Sequence, residues 1–308
     1  MHWRRPMSRN SETHILPAHA TWGQALVWGV GRLRVGASSD TPHLDTQTLL
    51  AHILGASRAT LLAYPERRLT SAQAATFARL VERRLAHEPV AYLVGHREFM
   101  GLDFAVDRRA LIPRPETELL VEGALADLRA RLGHHEHTAS VADVGTGSGA
   151  IALSLAQLER RAAPIYALDI STDALDLARE NARRLGVAER VTFLQGDLLD
   201  ALPQPVDLLL ANLPYVARHD QGELALDVRR YEPELALYGD EDGLALLRRF
   251  FAQAPKYVYP DTTIGVEFGY NQRNTVETLA RSAFPNGRIH VGADYAGWDR
   301  FALIHLGG

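Results

Sequence analysis

Cysteine is absent from the 308-residue chain, which removes disulfides, thiolate nucleophiles and cysteine-ligated zinc together. Long apolar runs are absent too. The Leu- and Ala-rich segments are interrupted by Arg, Asp or Glu before about 18 apolar residues accumulate, so no membrane-spanning helix is expected. Nor is there an excess of positive charge: 33 Lys and Arg stand against 37 Asp and Glu, a net charge of −4. A protein that grips nucleic acid through its phosphates needs the opposite balance, so no stable nucleic-acid binding is expected and a protein or small-molecule substrate is favoured. The first residues, MHWRRPMSRNSETHILPAH, are basic but lack the apolar core of a secretion signal. They read as a flexible extension over residues 1–19 of a cytoplasmic protein. What the chain does have is 46% hydrophobic residues against 23% charged, enough to bury two cores.

Helical spacing dominates the first part. Leu26, Val27 and Val30, then Leu44, Leu49, Leu50, Ile53 and Leu54, then Phe77, Leu80, Val81 and Leu85 recur at three- and four-residue intervals. Breaks at 38–42, 55–57 and 65–70 separate them, with Thr70 or Ser71 placed to cap the last helix. A small helical bundle over 20–89, serving substrate recognition, is the expectation. Residues 90–115 change character, and aromatic and branched residues around Gly95 and Gly101 predict a linking hairpin.

From Ser140 onward strands and helices alternate. Strands are expected at 141–144, 164–168, 191–194, 206–211, 263–268, 289–291 and 301–304, and helices at 150–159, 172–185, 243–254 and 272–283. This pattern predicts an open, mostly parallel α/β sheet covered on both faces, whose ligands lie outside the carboxyl ends of the strands.

The segment VADVGTGSGAIALSLA sets Asp143, Gly145, Thr146, Gly147 and Gly149 between a strand and a helix. Glycines at alternate positions let the backbone turn tightly and approach a ligand, although a ligand-free turn would use them as well. Twenty residues past Gly149 the second strand ends in Asp169, at the spacing where a carboxylate accepts hydrogen bonds from ribose hydroxyls. The third strand ends in Gly196 and Asp197. Because Asp143 puts negative charge beside the loop, a ligand carrying a sulfonium and an amino group fits better than a pyrophosphate. D-V-G-T-G-S-G, acids closing the second and third strands, and N-x-P-Y closing the fourth resemble a class I methyltransferase dependent on S-adenosylmethionine. That resemblance implies a seven-stranded Rossmann-like sheet over 116–308. It also places Gly145 and Gly147 at the methionine part, Asp169 at the ribose, Asp197 near the adenine amine and Leu198 against the adenine ring.

The fourth strand, VDLLLA, ends in Asn212, Leu213, Pro214 and Tyr215. A strand-ending turn explains these residues on local grounds. In a methyltransferase they have a chemical use. An amide nitrogen is a poor nucleophile, and acceptors that hold both of its hydrogens orient it toward a methyl donor without a strong base. Asn212 offers its side-chain oxygen, Leu213 its carbonyl, Pro214 fixes the turn and Tyr215 walls the pocket. The tetrapeptide also resembles that of dimethyltransferases acting on adenine amines, and so leaves the substrate class open.

Four further stretches, YLVGHREFMGLDFAVDRRALIPRPETELLVE, DVGTGSGAIALSLA, YEPELALYGDEDGLALLRRF and VEFGYNQ, resemble the protein-(glutamine) methyltransferases that modify peptide chain release factors. The match takes in nearly the whole chain, and REF followed by IPRPETE is its most specific element. It implies that Phe99, Pro113, Arg114 and Pro115 border the cofactor and substrate pocket. Asn212, Leu213 and Pro214 would hold the glutamine amide of a Gly-Gly-Gln loop. Leu213 stands where the family usually has proline, so the carbonyl survives while some rigidity is lost. A monomer is expected. The competing readings are methylation of a ribosomal-protein glutamine, methylation of an adenine amine in nucleic acid, and a non-catalytic module that binds the cofactor and a translation factor. His134, His135 and His137 read as solvated, and no metal is expected. Glu232 has no role that its chemistry alone assigns, and Glu267 reads equally as a structural hydrogen bond or a substrate contact.

Overall fold

The computed structural model describes residues 15–133 and 137–307; His134, His135 and the first part of the 1–19 extension lie outside them. The chain divides between Val94 and Gly95 into two compact units.

The first unit is helical: α1 (Trp22–Val35), α2 (Pro42–Leu54), α3 (Arg58–Ala63), α4 (Ser71–Leu85) and α5 (Val90–Val94). Thr21 and Thr70 each close a reciprocal capping box, with Gln24 and Gln73, which satisfies backbone donors that a helix start leaves open. Gly55 ends α2 in the left-handed conformation that glycine adopts without strain. Leu33, Leu49, Leu50, Leu61, Phe77 and Val81 are fully buried and form the centre of the core. Val27 and Leu44, expected on the apolar faces, are exposed instead. The buried stripe of α1 runs through Ala25, Gly29, Val30 and Leu33, and at 100° per residue Val27 points away from it. Leu16 is buried in this core, so the packed chain begins ahead of the boundary expected at residue 20.

The second unit opens with an antiparallel hairpin, β1 (His96–Phe99) and β2 (Leu102–Ala105), followed by α6 (Pro115–Leu132). The alternating part comprises β3 (Ala139–Val144), α7 (Ala150–Leu158), β4 (Ala162–Asp169), α8 (Thr172–Arg184), β5 (Val191–Gln195), β6 (Val206–Ala211), α9 (Leu226–Tyr231), α10 (Ala245–Gln253), β7 (Val258–Glu267), α11 (Arg273–Ala283), β8 (Arg288–Ala293) and β9 (Asp299–His305). Seven strands form one sheet in the order β5-β4-β3-β6-β7-β9-β8. β3 to β7 are parallel, while β9 runs antiparallel to both β7 and β8. All six residues of β3 are buried, as expected of a central parallel strand covered on both faces.

This strand order places the site. From β3 the chain winds outward through β4 and β5, then returns to lay β6 on the other flank of β3. The connections leaving β3 and β6 therefore diverge, and open a crevice at the carboxyl ends of the strands. Val144 pairs with Ala211 at that edge, so Gly145 and Asn212 emerge side by side.

Candidate active site

Between the tips of β3 to β6 lies a cavity of about 360 Å³, lined among others by Gly145, Thr146, Gly147, Asp169, Asp197, Leu198 and Asn212. A second hollow of about 830 Å³ adjoins it, and Asn212, Leu213 and Pro214 line both. The four strand tips thus converge as the sequence predicts.

The loop after β3 is fixed from below. Gly145, Gly147 and Gly149 have φ of +74°, +56° and +84°, values that a side chain opposes. The amides of Gly145 and Thr146 donate to the Leu168 carbonyl at 2.9 and 2.8 Å, tying the loop to the end of β4. A Cβ at Gly149 would stand 2.8 Å from Leu153, so this glycine serves close packing of α7. Asp143, expected to face the cofactor, lies behind the loop and is fully buried. Its Oδ2 accepts from Thr146 Oγ1 at 2.6 Å and from the Ala152 amide at 3.1 Å. Burial pushes its carboxyl up to about 7, and Oδ1 is buried without a partner among the described residues.

Asp169 accepts from the Gly147 amide through Oδ2 and the Ser171 amide through Oδ1, both at 2.9 Å. Each oxygen keeps a lone pair for a hydroxyl, and burial raises the carboxyl above its ordinary range. Asp197 is paired with Arg249 at 2.6 Å. Leu198 holds a left-handed backbone, φ +55°, and its side chain is buried at the cavity edge.

The cavity's cations are all engaged. Arg109 is held by Asp107 and Glu180, Arg114 by Glu232, and Arg249 by Asp197. A polyphosphate would meet acids and neutralised arginines. A ligand with ribose hydroxyls, an amine and an apolar ring fits the same set: two acids, a glycine cradle, and Leu168, Leu198 and Leu246. The residues present therefore suit S-adenosylmethionine.

The acceptor side is assembled from distant segments. Thr117, in the first turn of α6, donates to Glu267 Oε2 at 2.7 Å and accepts from Asn212 Nδ2 at 3.0 Å. Tyr215 donates to Glu267 Oε1 at 3.2 Å. Glu267 ends β7 and is almost completely buried; burial, opposed by these two hydrogen bonds, pushes its carboxyl up to about 7. Burial also raises the Tyr215 phenol, reinforced by the negative Glu267. With Nδ2 committed to Thr117, Asn212 leaves Oδ1 for a ligand. Among the described residues no group donates to that atom or to the Leu213 carbonyl.

Three supports escaped sequence reasoning. Glu232, from the loop after α9, accepts from Arg114 at 2.6 Å and from the Ile112 amide at 3.1 Å, clamping the Pro113–Arg114 wall. Its carboxyl is raised by burial and held back by Arg114. Gly239 and Gly243 let a second backbone run against the Pro214–Tyr215 turn; a Cβ at Gly243 would lie 2.2 Å from the Tyr215 carbonyl oxygen. Asn181 on α8 is fully buried and bonds the Ala105 amide and carbonyl together with the Ser148 carbonyl, stitching the hairpin to the glycine loop. The spacing Y-G-x-x-x-G is a local trace of the second support. The partners of Glu232 lie 118 and 120 residues away in sequence and those of Asn181 33 and 76, and they leave no such trace.

Phe99, Pro113 and Arg114 line the first cavity, and Tyr215 lines the second. Pro115 opens α6 and lines neither. Leu213, in the place of the usual proline, is buried, and its Cδ2 would stand 3.1 Å from a Cβ at Gly145. Its side chain thereby packs the β6 turn against the glycine loop. The hairpin expected over 90–115 is confined to 96–105.

Comparison with known proteins agrees with this geometry. A PrmC N-terminal domain model matches residues 24–95 and a methyltransferase domain model residues 135–235. The release factor glutamine methyltransferase of Moorella thermoacetica is 44% identical over 286 residues, 92% of this chain and 98% of that protein. The Bordetella pertussis protein of the same name is 43% identical over 272 residues, 88% and 97% of the two chains. The hMettl16 catalytic domain, solved with a MAT2A 3'UTR hairpin, superposes with a TM-score of 0.52 at 16% identity, over 75% of this chain and 80% of that one, and shares the fold. With relatives this similar along their whole length, the chain belongs to the release factor glutamine methyltransferase family.

Proposed function

We propose that the protein methylates the side-chain amide nitrogen of the glutamine in the Gly-Gly-Gln loop of a peptide chain release factor, using S-adenosylmethionine. The observation that carries this reading is the pair of vacant acceptors, Asn212 Oδ1 and the Leu213 carbonyl, at the junction of the two cavities. When bound, the cofactor supplies an electrophilic methyl group on a sulfonium. Asp169 would hold its ribose, Asp197 the adenine amine, Leu198 the adenine ring, and Gly145 and Gly147 its methionine part. Asp143 acts from behind, shaping the loop through Thr146 and Ala152.

On the acceptor side the chain's own residues do the chemistry of position. The amide nitrogen would gain the methyl group as the sulfur–methyl bond breaks, leaving the neutral thioether S-adenosylhomocysteine, and would lose one hydrogen as a proton to solvent. Two acceptors that hold its hydrogens orient the lone pair and disfavour rotation, and fixed dipoles stabilise charge developing on that nitrogen. No group at the site is a strong base, and none is needed for positioning. Phe99, Pro113 and Arg114 close the wall, and Glu232 keeps that wall in place. The helical unit would recognise the body of the release factor. The partner would be met in the cytoplasm by a monomer of this chain. No helix among the described residues is long and apolar enough to cross a membrane.

The test is transfer of labelled methyl from S-adenosylmethionine to purified release factor, to its Gln→Ala variant and to RNA. Label on the release factor alone is expected. Equal labelling of the Gln→Ala variant, or label on RNA, would overturn the reading.

A further inference from the structure

The hydrogen-bond chain behind Asn212 has a direction. A carboxylate only accepts, so the single hydroxyl proton of Thr117 must go to Glu267 Oε2, 2.7 Å away. The Thr117 oxygen then has only lone pairs left, and the Asn212 atom 3.0 Å from it must be the NH2. That choice turns Oδ1 toward the acceptor side. Reversing the first link reverses the rest. A proton on Glu267 Oε2 would donate to Thr117, free the hydroxyl proton for Asn212 Oδ1, and allow the flipped amide, which meets a substrate N–H with another N–H.

We propose that Thr117 and Glu267 are positioning residues which, through the ionised form of Glu267, select the productive flip of Asn212. The proposal rests on the reading that Asn212 Oδ1 accepts from the acceptor amide. Thr117 and Glu267 act on the substrate only through Asn212; Thr117 borders the first cavity and Glu267 the second.

The surroundings make the ionisation adjustable near neutral pH. Glu267 is enclosed by Thr117 and Glu116 from α6, Tyr215 from the β6 turn and Arg300 from β9, while Arg114 acts on Tyr215. Burial and Glu116 favour the protonated carboxyl; the Thr117 and Tyr215 hydroxyls and Arg300 favour the carboxylate. Tyr215 donates to Oε1, so Oε2 is the oxygen whose state Thr117 reads. Turnover should therefore rise as pH climbs through about 7 and reach a plateau above it.

The experiment is a pH profile of kcat for methyl transfer to purified release factor, with S-adenosylmethionine affinity measured by calorimetry for each full-length protein. Wild type should show an acidic limb near neutrality. Thr117→Val should lower plateau kcat roughly tenfold, the worth of one orienting hydrogen bond, and lose the limb while keeping cofactor affinity. Thr117→Ser, which retains the hydroxyl, should restore both, whereas Glu267→Gln, which like the protonated carboxyl carries a donor and no charge, should turn over below the wild-type plateau at every pH and without the limb. Wild-type kcat in Thr117→Val, or an acidic limb that persists in Glu267→Gln, overturns the proposal. Asn212→Ala separates the two levels: full activity there defeats the acceptor reading itself, whereas its loss beside an unaffected Thr117→Val defeats only the selection of the flip.

Discussion

The two sides of the active-site crevice are built differently. The donor side is local: Asp143 to Gly149, Asp169 and Asp197–Leu198 come from three consecutive strand tips, joined by bonds such as Gly147 to Asp169. The acceptor side gathers Thr117 from α6, Asn212 and Tyr215 from the β6 turn, Glu267 from β7, and backbone support from Gly239, Gly243 and Gln272. A cofactor common to many enzymes is met by a self-contained motif, and a particular acceptor by residues that only the complete fold brings together. Damage to the acceptor side should therefore spare cofactor binding.

The largest effect is expected from Asn212→Ala. It should lower turnover by about 10²–10³-fold, the usual loss when one preorganised group at a reacting centre is removed, with cofactor affinity within about twofold of wild type. Stopped-flow transfer and calorimetry read the two quantities. Gly243→Ala comes next. Its Cβ would collide with the Tyr215 carbonyl at a φ of +75°, so a stability loss of about 2–3 kcal/mol is expected. Turnover should fall by more than about tenfold, while the surviving folded protein binds cofactor normally.

On the donor side, stability should depend on pH through Asp143. Asp143 is held at about 7 in the fold, above its unfolded value near 3.9. Its stabilising contribution is therefore full below about pH 4 and is lost as pH rises toward 7. Glu267, also held at about 7, has the same sign. Asp143→Asn should flatten the fall in stability between pH 4 and 8 by on the order of 2 kcal/mol, read from denaturant midpoints at each pH. Glu232→Gln should cost about 1–2 kcal/mol, because the carboxylate is buried but its Arg114 partner is partly exposed. The smallest effect is expected from Arg249→Ala. It breaks a half-exposed pair with Asp197 and should change stability by less than about 0.5 kcal/mol.

The same contrast explains what the sequence reveals. The order of the sheet strands, the glycine loop and the acids at 169 and 197 are legible because period, turn chemistry and short spacing write them locally, whereas strand ends are not: β7 begins at Val258, five residues before the expected 263. Asn212 is legible because an amide and a proline at the end of a buried strand need a reason. The role of Thr117 is not legible: a threonine in a first helical turn has an ordinary local explanation, and its partner Glu267 lies 150 residues away. Asp143 shows the converse. A carboxylate beside the loop suggests ligand contact, yet the structure places it under the loop, where two donors from Thr146 and Ala152 use it as a brace. Leu213 completes the pattern, since its buried side chain fills the space against Gly145 and offers packing where proline would offer stiffness.

The most direct measurement is tandem mass spectrometry of purified release factor after reaction with S-adenosylmethionine and either the wild-type protein or Asn212→Ala. The account predicts one added methyl group, on the side-chain amide of a single glutamine, with wild type and almost none with the variant. A methyl group on any other side chain, or equal modification by both proteins, would contradict it.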